Sequence, residues 1–303
     1  MSINSSRRSF IKTSTLAGLA IATPSFDVKK HKPNLSFSTL GCPDWSLDTI
    51  IDFAVANGYS GVELRGLQRQ LDLPKSPEFN SKENILRTVK RFKEKNIKIV
   101  DLGSSCEMHH ADSVTRKKNL DEAKSFIQLA EQVLCPYIRV FPNKIPKDQG
   151  KSQTIDLIIE GLKELGDYAK DKGVTVLMET HGDLVQSEDI ERVMRSVGQP
   201  NVGLVWDIVN MWSVTKEPIA QVYGRLKKYV RHTHIKDLTT VGNEEQPALL
   251  GKGNTPIFEA IDILTKDKYK GYYSFEWEEL WHPNIAKPEV AIADYANVMR
   301  EHF

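Results

Sequence analysis

The sequence predicts a closed, single-domain (β/α)8 barrel behind an N-terminal export segment. Two observations point there: eight short β-rich runs alternate with longer stretches of helical periodicity, and the last four runs each end in an acid or a histidine. A third is a missing signal. An open doubly wound sheet favours a glycine-rich phosphate turn after its first strand, and S-T-L-G-C-P-D-W holds no G-x-G-x-x-G.

Residues 1–26 read as a twin-arginine signal peptide: Arg7 and Arg8 precede the apolar T-S-T-L-A-G-L-A-I-A-T-P, with small residues before a cut after Ala22. That run is too short to span a bilayer, so no stable membrane anchor is expected, and the destination is the periplasm. A polar linker covers residues 27–34 and the barrel 35–303. The expected strands are 35–40 (L-S-F-S-T-L), 61–65 (G-V-E-L-R), 97–102 (I-K-I-V-D-L), 137–141 (Y-I-R-V-F), 174–180 (V-T-V-L-M-E-T), 202–207 (V-G-L-V-W-D), 230–236 (V-R-H-T-H-I-K) and 272–277 (Y-Y-S-F-E-W). Between them lie patterns such as L-D-T-I-I-D-F-A-V-A-N-G. Its apolar residues recur every three or four positions, and its Asn57-Gly58 end stops a helix. Alternating strands and helices make parallel strands under a helical coat.

Composition narrows the functions. A chain 40% hydrophobic and 8% aromatic is that of a soluble globular protein. Its formal charge of +1 includes Arg7, Arg8 and Lys12; without these three of the 41 basic residues, 38 face 40 acidic ones, a net −2. Such a body does not neutralise a run of phosphates, which excludes nucleic acid as partner. Cys42, Cys106 and Cys135 make no C-x-x-C pair, so neither a disulfide framework nor a thiolate zinc site is expected.

In a (β/α)8 barrel the chemistry sits where strands end. Strand five ends in L-M-E-T-H, strand six in V-W-D, strand seven in H-T-H-I-K-D and strand eight in S-F-E-W-E-E. Glu179, Asp207 and His234 are 28 and 27 residues apart, about one βα unit each, and so recur at equivalent heights. Glu276 follows 42 later, the excess lying in the loop T-T-V-G-N-E-E-Q-P-A-L-L-G-K-G-N. Period-two alternation sets Glu276 inward with Ser274, and Phe275 and Trp277 outward; Trp206 is likewise outward of Asp207. Three carboxylates and an imidazole converging on one point need a cation between them, or a buried ion network with Lys236 and Arg231. An O,O,O,N set suits one divalent ion, Mn²⁺ ahead of Co²⁺, Mg²⁺ or Zn²⁺. In V-R-H-T-H-I-K-D, His232 lies one layer deeper than His234, and Lys236 one layer further out, towards substrate.

The strand ends E-T-H, W-D-x-x-N, H-T-H-I-K-D and S-F-E-W-E-E, with S-T-L-G-C-P-D-W and G-V-E-L-R-G near the start, resemble the sugar phosphate isomerase/epimerase group of the xylose-isomerase-like TIM barrels. The resemblance spans essentially everything after the signal. It implies that the metal is held by Glu179, Asp207, His234 and Glu276, the same four residues. One departure is informative. Many relatives carry D-x-x-H after strand six, where this chain has Asn210. In the endonuclease IV branch that histidine serves a multi-metal site, so a DNA-repair nuclease is disfavoured.

A divalent ion chelating a carbonyl and an adjacent hydroxyl lowers the pKa of the neighbouring C–H, and a base then makes an enediolate. Returning the proton isomerises or epimerises a sugar; expelling a β-oxygen dehydrates it or cleaves a glycoside. A carbohydrate-binding barrel without catalysis is the reading from another class. Glu179 and Glu276 are the candidate catalytic carboxylates, and His181 and Glu278, each two residues further out, the candidate proton carriers. Glu63 and Arg65 on strand two, Asn210, Lys236 and Trp281 are expected to meet substrate, with Trp45 and Trp212 as further mouth aromatics. The export signal and the lone lysine of G-K-G at 251–253 favour a sugar or glycoside without phosphate. Nothing in the sequence sets the oligomeric state.

Overall fold

In the computed structural model, residues 32–242 and 244–303 are described; the expected signal and residues 27–31 of the linker lie outside them. The strands are β1 (Leu35–Ser38), β2 (Gly61–Leu64), β3 (Lys98–Glu107), β4 (Tyr137–Phe141), β5 (Thr175–Glu179), β6 (Val202–Asp207), β7 (Val230–Ile235), β8 (Asp237–Val241), β9 (Glu244–Ala248) and β10 (Tyr273–Phe275). The α-helices are α1 (Leu47–Ala56), α2 (Lys82–Glu94), α3 (Ser113–Gln132), α4 (Lys151–Ala169), α5 (Ser187–Val197), α6 (Ile208–Thr215), α7 (Ile219–Leu226), α8 (Ile257–Lys266) and α9 (Pro288–His302). β1 to β7 and β10 pair in parallel and close, β1 lying between β2 and β10. This is the (β/α)8 TIM barrel that the alternation predicts.

Local chemistry sets the helix ends. The side chains of Ser46, Ser81 and Asp112 accept from the backbone N–H three residues on, capping α1, α2 and α3. After α1 the chain turns at Gly58 with φ +67°, the left-handed conformation that the Asn57-Gly58 pair foretold.

Outward strand residues pack on the helices. Trp206 stacks on Tyr223 of α7 with centroids 5.4 Å apart, and Phe275 on Tyr295 of α9 at 4.5 Å. Trp277 is buried too, its indole N–H donating to the Ala286 carbonyl. The barrel interior is polar by contrast: Glu63, Asp101, Arg139, His232 and Ser274 are all buried. Burying charge is costly unless it is paired, and here Glu63 meets His232 and His234 while Arg139 meets Glu179.

Two expectations change. Equal height does not mean equal register: Glu179 pairs with Val205, while Asp207 and Ser274 both pair with His234, so the metal-ligand candidates step forward along successive strands. Strand tilt in a closed barrel turns that stagger into a common height. The expected loop after β7 is an antiparallel hairpin, β8–β9, followed by a turn wrapped around Asp237. That carboxylate accepts from the backbone N–H groups of Gly251, Gly253 and Thr255. A Cβ on Gly253 would sit 2.2 Å from Asp237 Oδ1 and 2.3 Å from the Leu238 carbonyl oxygen, so the turn requires glycine.

Candidate metal centre

Glu179 is the last residue of β5, Asp207 of β6, and His234 lies one short of the end of β7. Glu276 follows β10, its N–H still bonded to the Ile235 carbonyl, so the ladder fixes it as firmly as a strand residue. Asp207 caps α6, with Oδ1 accepting from the Asn210 N–H at 2.8 Å, and its backbone is clamped by the Thr180 hydroxyl. One ligand atom from each of the four residues lies within 4.8 Å of all the others, and all four are buried.

His234 is the informative member. Its Nε2 is 3.1 Å from Glu63 Oε2, which also takes His232 Nε2 at 2.9 Å and the Ser274 hydroxyl at 3.1 Å. A carboxylate only accepts, so Nε2 carries the proton and Nδ1 offers a lone pair. Among the described residues Nδ1 has no hydrogen-bond partner, yet it lies 3.2 Å from Glu276, 3.6 Å from Glu179 and 4.0 Å from Asp207. A lone pair facing three carboxylates is repulsive, and a cation or a second proton must sit among them. Burial opposes that proton, but Glu276, Glu63 and Glu179 outweigh it and raise the His234 pKa well above the imidazole range. Asp207 is pushed up to about 7, by burial first, with Glu276 and Glu179 adding and Lys236 opposing. Three buried carboxylates and an imidazole lone pair converging on one point make a donor set that fits a divalent ion.

Lys236 does not project towards substrate as expected. Its ammonium is buried, 2.8 Å from both Asp207 and Glu276 and 3.1 Å from Glu278. Those carboxylates keep it protonated against burial. The Lys236 arm of an ion network thus exists, whereas Arg231 points elsewhere and donates to the Lys228 and Val230 carbonyls. Glu63 is also misplaced by the sequence reading: it is fully buried under His234 and is not a wall of the cleft. Asn210 likewise meets Asp207 through its backbone and does not line the cleft. Neither do Trp45, packed on Phe53, and Trp212, under the Lys216 ammonium.

Above the centre opens a cleft of about 220 Å³ walled by Arg65, Arg139, Glu179, His181, Glu276, Glu278 and Trp281, among others. Of the residues expected on the substrate side, Arg65, His181, Glu278 and Trp281 line this cleft. A cavity of about 580 Å³ at the opposite end has, among the described residues, no carboxylate or histidine in its wall. Arg139 escaped the sequence reading although its inward parity in Y-I-R-V-F could have found it. It is buried, with Nε 3.0 Å from Glu179 Oε2 and its guanidinium 3.9 Å from the centre of the Phe141 ring. Arg139 and then His234 outweigh burial and hold the Glu179 pKa below its usual range.

Asn143 was missed as well. Its side-chain N–H donates to Glu107 Oε1, which turns its Oδ1 towards His181 Nδ1 at 3.1 Å. The proton of His181 is thereby on Nδ1, leaving Nε2 as an acceptor. Glu107 reaches the mouth because β3 runs five residues past its expected end, with a register shift between Gly103 and Glu107. The polar S-S-C-E hides that extension.

An inosose dehydratase of Geobacillus thermodenitrificans is 31% identical over 153 residues, 44% of this chain and 49% of the relative, so the chain spans about half the length of that protein. An inosose isomerase of Halalkalibacterium halodurans is 24% identical over 75% of this chain and 80% of its own. The solved structure of an IOLI protein with a bound zinc atom superimposes with a TM-score of 0.76 at 18% identity, covering 89% of this chain and 97% of that one. The family model described as xylose isomerase-like TIM barrel matches residues 51–302. The chain belongs to the xylose isomerase-like TIM barrel family.

Proposed function

We propose that this protein is a divalent-metal-dependent isomerase or epimerase that moves a proton beside the carbonyl of a polyhydroxy ketone or aldehyde without phosphate. The observation that carries the reading is the unpartnered Nδ1 of His234, facing three buried carboxylates beneath a cleft. A divalent ion held by Glu179, Asp207, His234 and Glu276 supplies Lewis acidity towards a carbonyl and its neighbouring hydroxyl. The zinc atom in the IOLI protein supports a metal here, without choosing among Mn²⁺, Co²⁺, Mg²⁺ and Zn²⁺.

The chain's own residues move the proton. His181, with Nδ1 committed to Asn143, presents Nε2 as general base from the β5 side. Glu278 approaches from the β10 side, hydrogen-bonded to Lys236. Two carriers on different walls allow removal from one face and return to the other, as epimerisation requires; return to the neighbouring carbon, as in isomerisation, needs only one of them. Arg65 is held on one wall by a bond to Ser105, and its pKa is lowered, by burial first and Arg139 next, only to about 10. It stays cationic at neutral pH and stabilises a developing oxyanion. Trp281, 53% exposed at the rim, offers a ring face to a sugar. The Gly251 and Gly253 amides, the nearest thing to a phosphate cradle, are already bound to Asp237. The periplasmic destination read from the export segment agrees, since phosphorylated sugars are mainly cytoplasmic.

A second reading is dehydration, with the enediolate expelling a β-hydroxyl; the inosose dehydratase relative supports it. NMR of free, oxidised and glycosylated sugars and cyclitols in D₂O, with Mn²⁺ or Mg²⁺, separates the two. Deuterium beside the carbonyl, with a new epimer or isomer, supports the first; a new enone supports the second. Binding shifts without exchange would remove catalysis, and full turnover after exhaustive chelation would remove the metal.

A further inference from the structure

We propose that Glu107, His109 and His110, where β3 meets the barrel mouth, form a second site for a divalent transition-metal ion, separate from the strand-end centre. The backbone there is well anchored. The Met108 N–H bonds to the Phe141 carbonyl, the Glu107 N–H to Asn119 Oδ1, and Asp112, two residues after His110, caps α3. The two imidazoles therefore leave a rigid ledge, their rings 4.0 Å apart and tilted by 37°.

Their nitrogens converge on one oxygen. Glu107 Oε2 is 2.9 Å from His110 Nε2 and 3.9 Å from His109 Nδ1. Metal–ligand bonds of about 2.0–2.2 Å set at tetrahedral angles place neighbouring donors about 3.3–3.5 Å apart. The two observed separations bracket that value, so an ion fits with small side-chain adjustments. The carboxylate is oriented for it, since Oε1 is taken by the Asn143 amide and Oε2 faces the imidazoles.

A hydrogen-bonded Glu107–His110 pair alone leaves one atom unexplained. His109 Nδ1 is buried without a hydrogen-bond partner among the described residues, on a side chain only 7% exposed, and it points to the Glu107 carboxylate. An ion gives it a partner. Burial first, and then His110, lowers the His109 pKa, which favours the neutral imidazole that a metal needs. Two imidazoles and one carboxylate suit Zn²⁺ and its neighbours better than Mg²⁺ or Ca²⁺. The partial exposure of Glu107 and His110, 31% and 24%, leaves a side open for water or a small ligand.

Zinc binding to the full chain tests this. The protein is stripped with chelator, titrated with Zn²⁺, freed of excess ion, and its zinc measured by elemental analysis beside H109Q/H110Q. Loss of one equivalent in the variant is expected; an unchanged stoichiometry would overturn the site. D207N/E276Q, which disables the strand-end centre, is expected to keep one equivalent and, loaded with Co²⁺, to show visible absorption that adding H109Q/H110Q removes. Native circular dichroism with no zinc bound would overturn the proposal. If D207N/E276Q does not fold, the first comparison decides alone.

Discussion

Replacing Glu63 by Gln isolates one negative charge beneath the strand-end centre. Glu63 Oε2 accepts from His232, His234 and Ser274, and the residue has no exposed surface. Glutamine keeps the size and an accepting oxygen, so the barrel is expected to close unchanged. What disappears is the charge behind the His234 Nε2–H, which makes Nδ1 a better donor to a cation. Loss of such a partner typically weakens metal binding about 10- to 100-fold, or about 1.4–2.7 kcal/mol. The upper end is expected here, because burial leaves no water to replace the lost charge. Competition between stripped protein and a chromogenic chelator for Mn²⁺ or Zn²⁺ gives the ratio directly. The rise in melting temperature on adding metal should shrink in parallel. Unchanged affinity with a raised KM would refute this and return Glu63 to the substrate contact that the sequence suggested.

Four other substitutions have defined outcomes. Asn143→Leu removes the acceptor that keeps the His181 proton on Nδ1; kcat should fall about 10- to 100-fold and its pH profile shift with metal content intact, whereas His181→Asn should cost about 10²- to 10⁴-fold. A pH profile identical to wild type would detach Asn143 from the mechanism. Asp101 is buried with both oxygens unpartnered among the described residues, and burial, then Glu63, pushes its pKa up to about 7. Its folded-state pKa is raised, so its stabilising contribution is present at low pH and lost as pH rises through 7. Asp101→Asn should therefore gain on wild type between about pH 4 and 7, by at most about 4 kcal/mol in urea unfolding; a pH-independent difference would contradict this. Gly253→Ala forces a methyl into Asp237 and should cost about 1–3 kcal/mol, read as a lower melting temperature. No loss would mean that the turn around Asp237 yields freely.

Sequence by itself determined the eight barrel strands, their alternation with helices, and the four residues at or beside the ends of β5, β6, β7 and β10. Those features rest on local periodicity: a period of two sets Asp207 inward and Trp206 outward wherever the strand lies, and the barrel topology then gathers the strand ends. Tertiary structure alone decided what stands beneath and beside them. Glu63 and His232 are 169 residues apart and meet only because the barrel closes. Stagger carries Lys236 back onto Asp207 and Glu276, away from the substrate side that its position beyond His234 implied. Arg139 reaches Glu179 across β4 and β5, and Asn143 turns one oxygen to His181 through a loop that no repeat marks. The physical reason is that alternation along a strand is a property of successive residues, whereas shear, closure and loop path set distances between residues far apart in the chain.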